Sequence, residues 1–222
     1  MKHLIAAVIV LTFALPAASA RAADSPQNIV DSALVTFNNM TSDPNFSNIN
    51  SLLDRAKAII IVPDMFKAGF IIGGQFGNAV LLAHSGDGSW SPVAFLKMGA
   101  GSVGLQIGAS VSKVVLVVMT EGGLNAILAN KVTLGGEASV AAGPVGAGVA
   151  AQTTTDVGAD VYSYTKGQGL FVGASLEGAV IEPDSERNKL YYGRAVTLAD
   201  IVINRIVDNA GGNQLRAVLA GY

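Results

Sequence analysis

Apolar positions recur at helical spacing around residue 30 and give way to strand-like runs and alternation from Ala58 onward. Ser25-Pro26 supplies an N-cap followed by proline at the first helical position. Ile29, Val30, Ala33, Leu34 and Phe37 then share one face of a helix that Thr41 to Pro44 ends. Ser47 is placed to cap a second helix carrying Ile49, Leu52, Leu53 and Ala56. Both helices are amphipathic, and the simplest role for their apolar faces is to cover a sheet. Ile59-Ile60-Ile61-Val62 is a β-branched run that Pro63 should stop. Gly69 to Ala83 reads as two short strands broken at Gly73-Gly74 and Gly77, with a turn over Ser85 to Ser89. Further strands are expected over Val93 to Met98, Val103 to Ala109 and Val114 to Met119. Glu121 to Asn130 reads as a helix, and Ala/Gly-rich Val132 to Gln152 as tightly packed strands. Asp160 to Lys166 and Leu170 to Ile181 read as strands, and Glu182 to Lys189 as a charged loop. Thr197 to Asp200 resembles a capping box opening a helix that carries Leu198, Ile201, Val202 and Ile206, and Asn213 to Leu219 forms a last helix. No fixed-period repeat or linker interrupts this pattern. It predicts one α+β domain, an antiparallel Gly/Ala-rich β core, bent or barrel-like, covered by N-terminal and C-terminal amphipathic helices.

The N-terminus changes that picture first. Lys2 and His3 precede an apolar run from Leu4 to Leu15, Pro16 breaks it, and Ala18-Ser19-Ala20 offers a small-residue exit. Residues 1–22 therefore read as a secretory signal peptide and residues 23–222 as the domain, because the run is shorter than the ~20 residues a membrane-crossing helix needs. The chain is expected to be exported, periplasmic in a Gram-negative cell and otherwise secreted. It has no cysteine, so neither a disulfide nor a lipoprotein anchor is expected.

Composition narrows the function classes. Half of the 222 residues are hydrophobic and 14% are charged, which rules out global disorder. Cleavage after Ala20 removes Lys2 from the 14 basic residues, leaving 13 against 16 acidic ones and a net charge of −3. Broad nucleic-acid binding needs the opposite sign, so any attraction to anions has to be local.

Catalytic chemistry is poorly supplied. Without the leader, His84 is the one histidine, and it reads as a polar strand end before the turn. No Gly-x-Ser-x-Gly elbow exists to give it a nucleophile; Gly173 to Glu177 comes nearest and lacks the last glycine. One histidine and no cysteine leave too few ligands for zinc. Gly99-Ala100-Gly101-Ser102-Val103-Gly104 matches a dinucleotide fingerprint, but the alternation that follows is that of a strand, whereas a phosphate cradle must open a helix. The carboxylates Asp156 and Asp160, and Glu182, Asp184 and Glu186, read as solvated surface, with a weak calcium site at the second group as the alternative. The expectation is a non-enzymatic protein with no cofactor, no metal and no catalytic residue.

Basic residues carry the remaining signal. Arg55 and Lys57 end the second helix and Lys67 follows the first strand, so the three are placed to converge on a rim beside an amphipathic helix, with Asp54 and Asp64 among them. Cations next to an apolar face suit an anionic lipid surface. Ordinary surface lysines are the plainer reading of each residue alone.

The order of these segments resembles the SYLF family. The resemblance is carried by Ala56 to Pro63, Lys67 to Phe70, Gly73 to Gly77, Trp90-Ser91-Pro92, Ser102 to Gly108, Ala142 to Gly146, Tyr162-Ser163-Tyr164, Gly169 to Gly173 and Tyr191-Tyr192-Gly193. It runs from about residue 28 to the C-terminus. The resemblance implies lipid binding, of phosphoinositides in eukaryotic members, and actin-patch regulation in yeast relatives; it implies no catalytic residue. An exported chain would meet envelope phospholipid instead. Ser112-Lys113 stands where the family resemblance leads one to expect an acidic residue. The expected partner is an anionic phospholipid surface, bound through Arg55, Lys57 and Lys67. The alternatives are an envelope protein bound without lipid, and an outer-membrane barrel, against which stand the scarce aromatics and the terminal helices.

Overall fold

A computed structural model of the chain describes residues 25–135, 142–146, 160–167, 176 and 178–222, with backbone alone at 69–72, 102–108 and 142–146. Helix α1 (Pro26–Thr41) begins as its sequence dictates, with the Ser25 hydroxyl accepting the Asn28 N–H. Its stripe of Ile29, Val30, Ala33, Phe37 and Met40 is buried. The second helix starts differently from expectation. Asp43 accepts the Asn45 N–H and opens a short 3-10 turn, Pro44–Phe46, which leads into α2 (Asn48–Leu53). Ser47 lies within this continuous winding, at φ −54°, so its hydroxyl caps nothing. Aspartate took the capping role four residues earlier.

The six runs expected between Ala58 and Met119 are two strands. Strand β1 (Ala58–Ala83) pairs antiparallel with β2 (Ala94–Val118) from Ala58↔Val118 to Leu81↔Ala94. Pro63 does not stop the first of them. The ladder shifts register between Val62 and Met65, and Pro63 lies in that bulge, where a missing N–H costs no ladder bond. The glycines do not break the ribbon either; they let it double back. The His84 N–H donates to the Lys57 carbonyl at 2.9 Å, so the last turn of β1 stands beside its first residue. A Cβ on Gly77 would lie 2.7 Å from the Val62 side chain and 2.8 Å from the Asp64 carbonyl oxygen, so only glycine allows the two arms to pass this closely.

The remaining strands join the two ends of β2. Its first part pairs with β6 (Val180–Pro183), which carries β3 (Val132–Thr133); its last part pairs with β5 (Val161–Gly167), which carries β4 (Ala142–Gly146) in parallel. The described sheet is thus one open, curled, six-stranded sheet, antiparallel except for β4 on β5. Strand readings over 136–141, 147–159 and 168–175, with Asp156 and the elbow-like Gly173 to Glu177, fall largely or wholly outside the described residues.

Alternate residues of each strand feed two cores. Ile59, Ile61, Val80, Leu82, Phe95, Val115 and Val117 meet α1, α2 and α6 (Asn213–Leu219) on one face. Ala58, Ile60, Val62, Leu81, Leu96, Val114, Leu116 and Val118 meet α3 (Glu121–Leu128) and α5 (Leu198–Val202) on the other. The terminal amphipathic helices therefore cover the sheet as expected. Glu182 to Lys189 corrects the sequence reading. It is the end of β6 followed by α4 (Ser185–Tyr192), with Asp184 as N-cap and Gly193 in the left-handed region at φ +71° as its stop. The capping box at Thr197 and Asp200 forms, but α5 ends at Val202, which leaves Ile206 exposed beyond it.

Candidate functional site

The structure brings Arg55 and Lys57 together and leaves Lys67 apart. Arg55 is exposed in the turn after α2, its N–H donating to Leu52. Lys57 stands at the root of β1 and pairs with the Glu121 carboxylate at 2.9 Å. Lys67 lies ten residues further along the ribbon, opposite Ser110. At a strand rise of ~3.3 Å per residue that separation is on the order of 30 Å. Lys67 thus belongs to the outer part of the ribbon, beyond the helices.

Aromatic side chains gather in that outer part. Phe66 and Phe76 stack with ring centroids 5.7 Å apart, and they are 45% and 63% exposed. The bulge at Pro63 explains their side. It shifts the alternation by one, so Asp64 and Phe66 take the face of Ile59 and Ile61. Val111, the register partner of Phe66, lies on the same face.

Between this aromatic pair and the C-terminal end of α1 the sheet forms an open cleft of about 200 Å³, bordered by Asn39, Asp64, Val111, Lys113 and Lys166. Lys113 and Lys166 are direct register partners of β2 and β5. Their surroundings differ. The Lys166 ammonium lies 2.6 Å from the Asp43 carboxylate, reaches the Asn39 carbonyl at 3.5 Å, and stands 5.8 Å from the centre of the Phe46 ring. It is thereby tied to the negative end of α1. The hydrogen bond from Lys166, helped by the Asn45 N–H, holds the Asp43 carboxyl below the usual carboxylate range. The Lys113 ammonium donates to the hydroxyl of buried Thr36 at 3.3 Å, and among the described residues no carboxylate is within ion-pair distance of it. Neither lysine was singled out by charge spacing. They are 53 positions apart in the sequence, and only strand pairing joins them.

The other candidates have structural work. His84 stacks on Trp90 at 4.7 Å, with Nδ1 3.2 Å from the Ala56 carbonyl, at the strand end where it was expected. The Gly99 to Gly104 match lies wholly within β2 and opens no helix. Asp184 is buried, not solvated; it caps α4, pairs with Arg187 and lies 3.5 Å from the Lys97 ammonium. Asp160 accepts the Thr120 hydroxyl proton. Among the described residues no three metal-ligating side chains converge.

Comparison with known proteins gives these features a family. Residues 99–222, just over half of the chain, match the Ysc84 family, described as Las17-binding protein actin regulator. The chain belongs to this family. The SYLF resemblance is thereby shown, since similarity to relatives of the same kind extends over most of the chain. Over 159 residues it is 36% identical to LAS seventeen-binding protein 3 of Saccharomyces cerevisiae, covering 70% of this chain and 34% of that one. It is 33% identical over 172 residues to an SH3 domain-containing protein of Schizosaccharomyces pombe, covering 76% and 40%. To the human SH3 domain-containing YSC84-like protein 1 it is 28% identical over 172 residues, covering 77% and 50%. The chain spans between a third and a half of the length of these relatives. The Ysc84 family's description is that of a regulator acting by binding, and the contacts above give His84, Asp160 and Asp184 structural partners.

Proposed function

We propose that this Ysc84-family chain is an exported, non-catalytic module that docks on anionic phospholipid surfaces. The stacked Phe66 and Phe76 carry this reading. Large aromatic side chains left out of both cores at the outer end of a glycine-rich ribbon suit the interface of a bilayer, where an apolar ring and a nearby cation are both satisfied. Lys67 follows Phe66 on the opposite face of the ribbon and supplies that cation at the same level, whereas Arg55 and Lys57, on the order of 30 Å away at the root of the sheet, lie beyond a contact made there. With a net charge of −3 after cleavage at Ala20, attraction has to be local, so aromatic insertion supplies the larger share of affinity.

Vesicle co-sedimentation of the chain lacking residues 1–22 tests this. Binding to vesicles containing phosphatidylglycerol is expected, with weaker binding to pure phosphatidylcholine. The Phe66→Ser/Phe76→Ser variant should bind at least about tenfold more weakly, the loss of two partly inserted rings. Lys67→Gln should lower only the salt-sensitive part. Equal binding of the double variant and the parent chain would end this reading. Mass spectrometry of the chain recovered from the periplasm or medium tests export, an N-terminus near Arg21 or Ala23 being the expected result.

The relatives' names favour a second reading, in which the partner is a protein. Exposed Leu190, Ile203 and Ile206, on α4 and after α5, would then form the docking face. A binding partner captured equally well with and without lipid, and lost in Ile203→Ser/Ile206→Ser, would select this reading.

A further inference from the structure

Like charges directly opposite in an antiparallel pair oppose folding, yet Lys113 and Lys166 occupy such a position beside an open cleft. We propose that this cleft binds a phosphate ester, with the Lys113 ammonium as the principal donor and Lys166 as the second cation. The inference deepens the membrane reading above and rests on it for the choice of a phosphorylated ligand.

The argument starts from unused donors. A lysine ammonium has three N–H groups. The Thr36 hydroxyl takes one from Lys113, and among the described residues nothing takes the others. Lys166 differs because Asp43 and the end of α1 already neutralise and orient it. One lysine is therefore held in place by the protein and the other is left with donors to spare. A doubly or singly charged oxyanion between them would convert repulsion across the strand pair into two charge-assisted contacts. Asn39 on the α1 side supplies a neutral amide at the same cleft.

Two carboxylates limit the ligand. Asp43 is engaged with Lys166, and Asp64 faces the cleft from the bulge of β1. The four formal charges cancel, so long-range attraction is weak and recognition depends on short contacts with a compact oxyanion. Asp64 then disfavours the anion. The stacked rings of Phe66 and Phe76 follow Asp64 on the same face, which places the apolar part of an ester beyond the phosphate. A phospholipid headgroup and a free phosphorylated small molecule share this chemistry.

The test uses inorganic phosphate and glycerol phosphate as probes on the chain lacking residues 1–22, at ionic strength matched with chloride. Phosphate should raise the thermal midpoint above the chloride control. Lys113→Met should weaken the apparent affinity at least about tenfold, the loss of a charge-assisted hydrogen bond. Without phosphate its midpoint should equal or exceed that of the parent chain, because the cross-strand repulsion is relieved; this also establishes that the variant folds. Asp64→Asn should tighten phosphate binding. Equal responses of the parent chain to phosphate and chloride would overturn the inference, as would an unchanged phosphate response in Lys113→Met/Lys166→Met.

Vesicles separate the sources. Weaker sedimentation of Lys113→Met with phosphatidylglycerol vesicles assigns the cleft to a headgroup. An intact vesicle response beside a lost response to glycerol phosphate assigns it to a soluble ester. A parent chain that binds phosphate but no vesicle ends the membrane reading and leaves the cleft standing.

Discussion

Asn188 replaces a neighbouring strand. It is buried on α4, and its side-chain amide accepts the Phe95 N–H at 2.8 Å and donates to the Phe95 carbonyl at 3.1 Å. Without it the Phe95 N–H would be unpaired beneath a helix, at a cost of ~1–3 kcal/mol, while the carbonyl keeps the Asp184 N–H at 3.0 Å. Asn188→Ala is therefore expected to lower stability by about 1–3 kcal/mol, read as a fall in the urea midpoint with little change in slope. The same residue ties α4 to the middle of the sheet, so its loss should also loosen Tyr192, whose hydroxyl donates to the Val93 carbonyl at 2.6 Å.

At the scale of elements, start signals divide into those that are used and those that are displaced. The Thr197 hydroxyl accepts the Asp200 N–H while the Asp200 carboxylate accepts the Thr197 N–H, a complete capping box on the short helix α5. Ser47 has a comparable sequence setting but makes no such bond, because the 3-10 turn capped by Asp43 already winds through it. Thr197→Ala is expected to cost about 1 kcal/mol and Ser47→Ala close to nothing, compared by thermal melts of the two variants. The contrast matters for function, since Asp43 both opens that turn and holds Lys166 at the edge of the cleft.

At the scale of the whole molecule, two helical layers enclose the root of a sheet whose outer ribbon carries the exposed Phe66 and Phe76. Titration should follow this arrangement at both ends of the pH range. Asp43, Asp87 and Asp200 are held below the ordinary carboxylate range by hydrogen bonds, first from Lys166, from Ser89 and from the Thr197 N–H respectively. A depressed carboxyl favours the folded state above its unfolded value, and that contribution disappears as pH falls through the folded value. Burial pushes the hydroxyls of Tyr164 and Tyr191 up to about 12. Their contribution is complete below the unfolded value near 10 and is lost as pH rises toward 12. These groups should leave the thermal midpoint flat between about pH 5 and 9, with a fall on either side. Tyr164→Phe should delay the alkaline fall, and Asp43→Asn should flatten the acid one, both followed by circular dichroism.

Local chemistry made the helices legible. Ser25-Pro26, the stripe on α1, the capping box at Thr197 and the helix from Asn213 to Leu219 follow from contacts within a few residues, and they appear where the sequence places them. So do the β-rich middle, the rejection of a phosphate loop at Gly99 to Gly104 and the family. The charged run after Glu182 misled because its helix rests on a cap, Asp184, whose burial is tertiary. By sequence alone the strands were present but not their continuity, since Pro63 and the glycines weaken strand propensity locally while pairing along the whole ribbon outweighs it. Faces and neighbours belonged to the tertiary structure entirely. A one-residue bulge turns Phe66 and Asp64 to the α1 side, and strand register sets Lys113 against Lys166, because pairing between distant segments has no local signature.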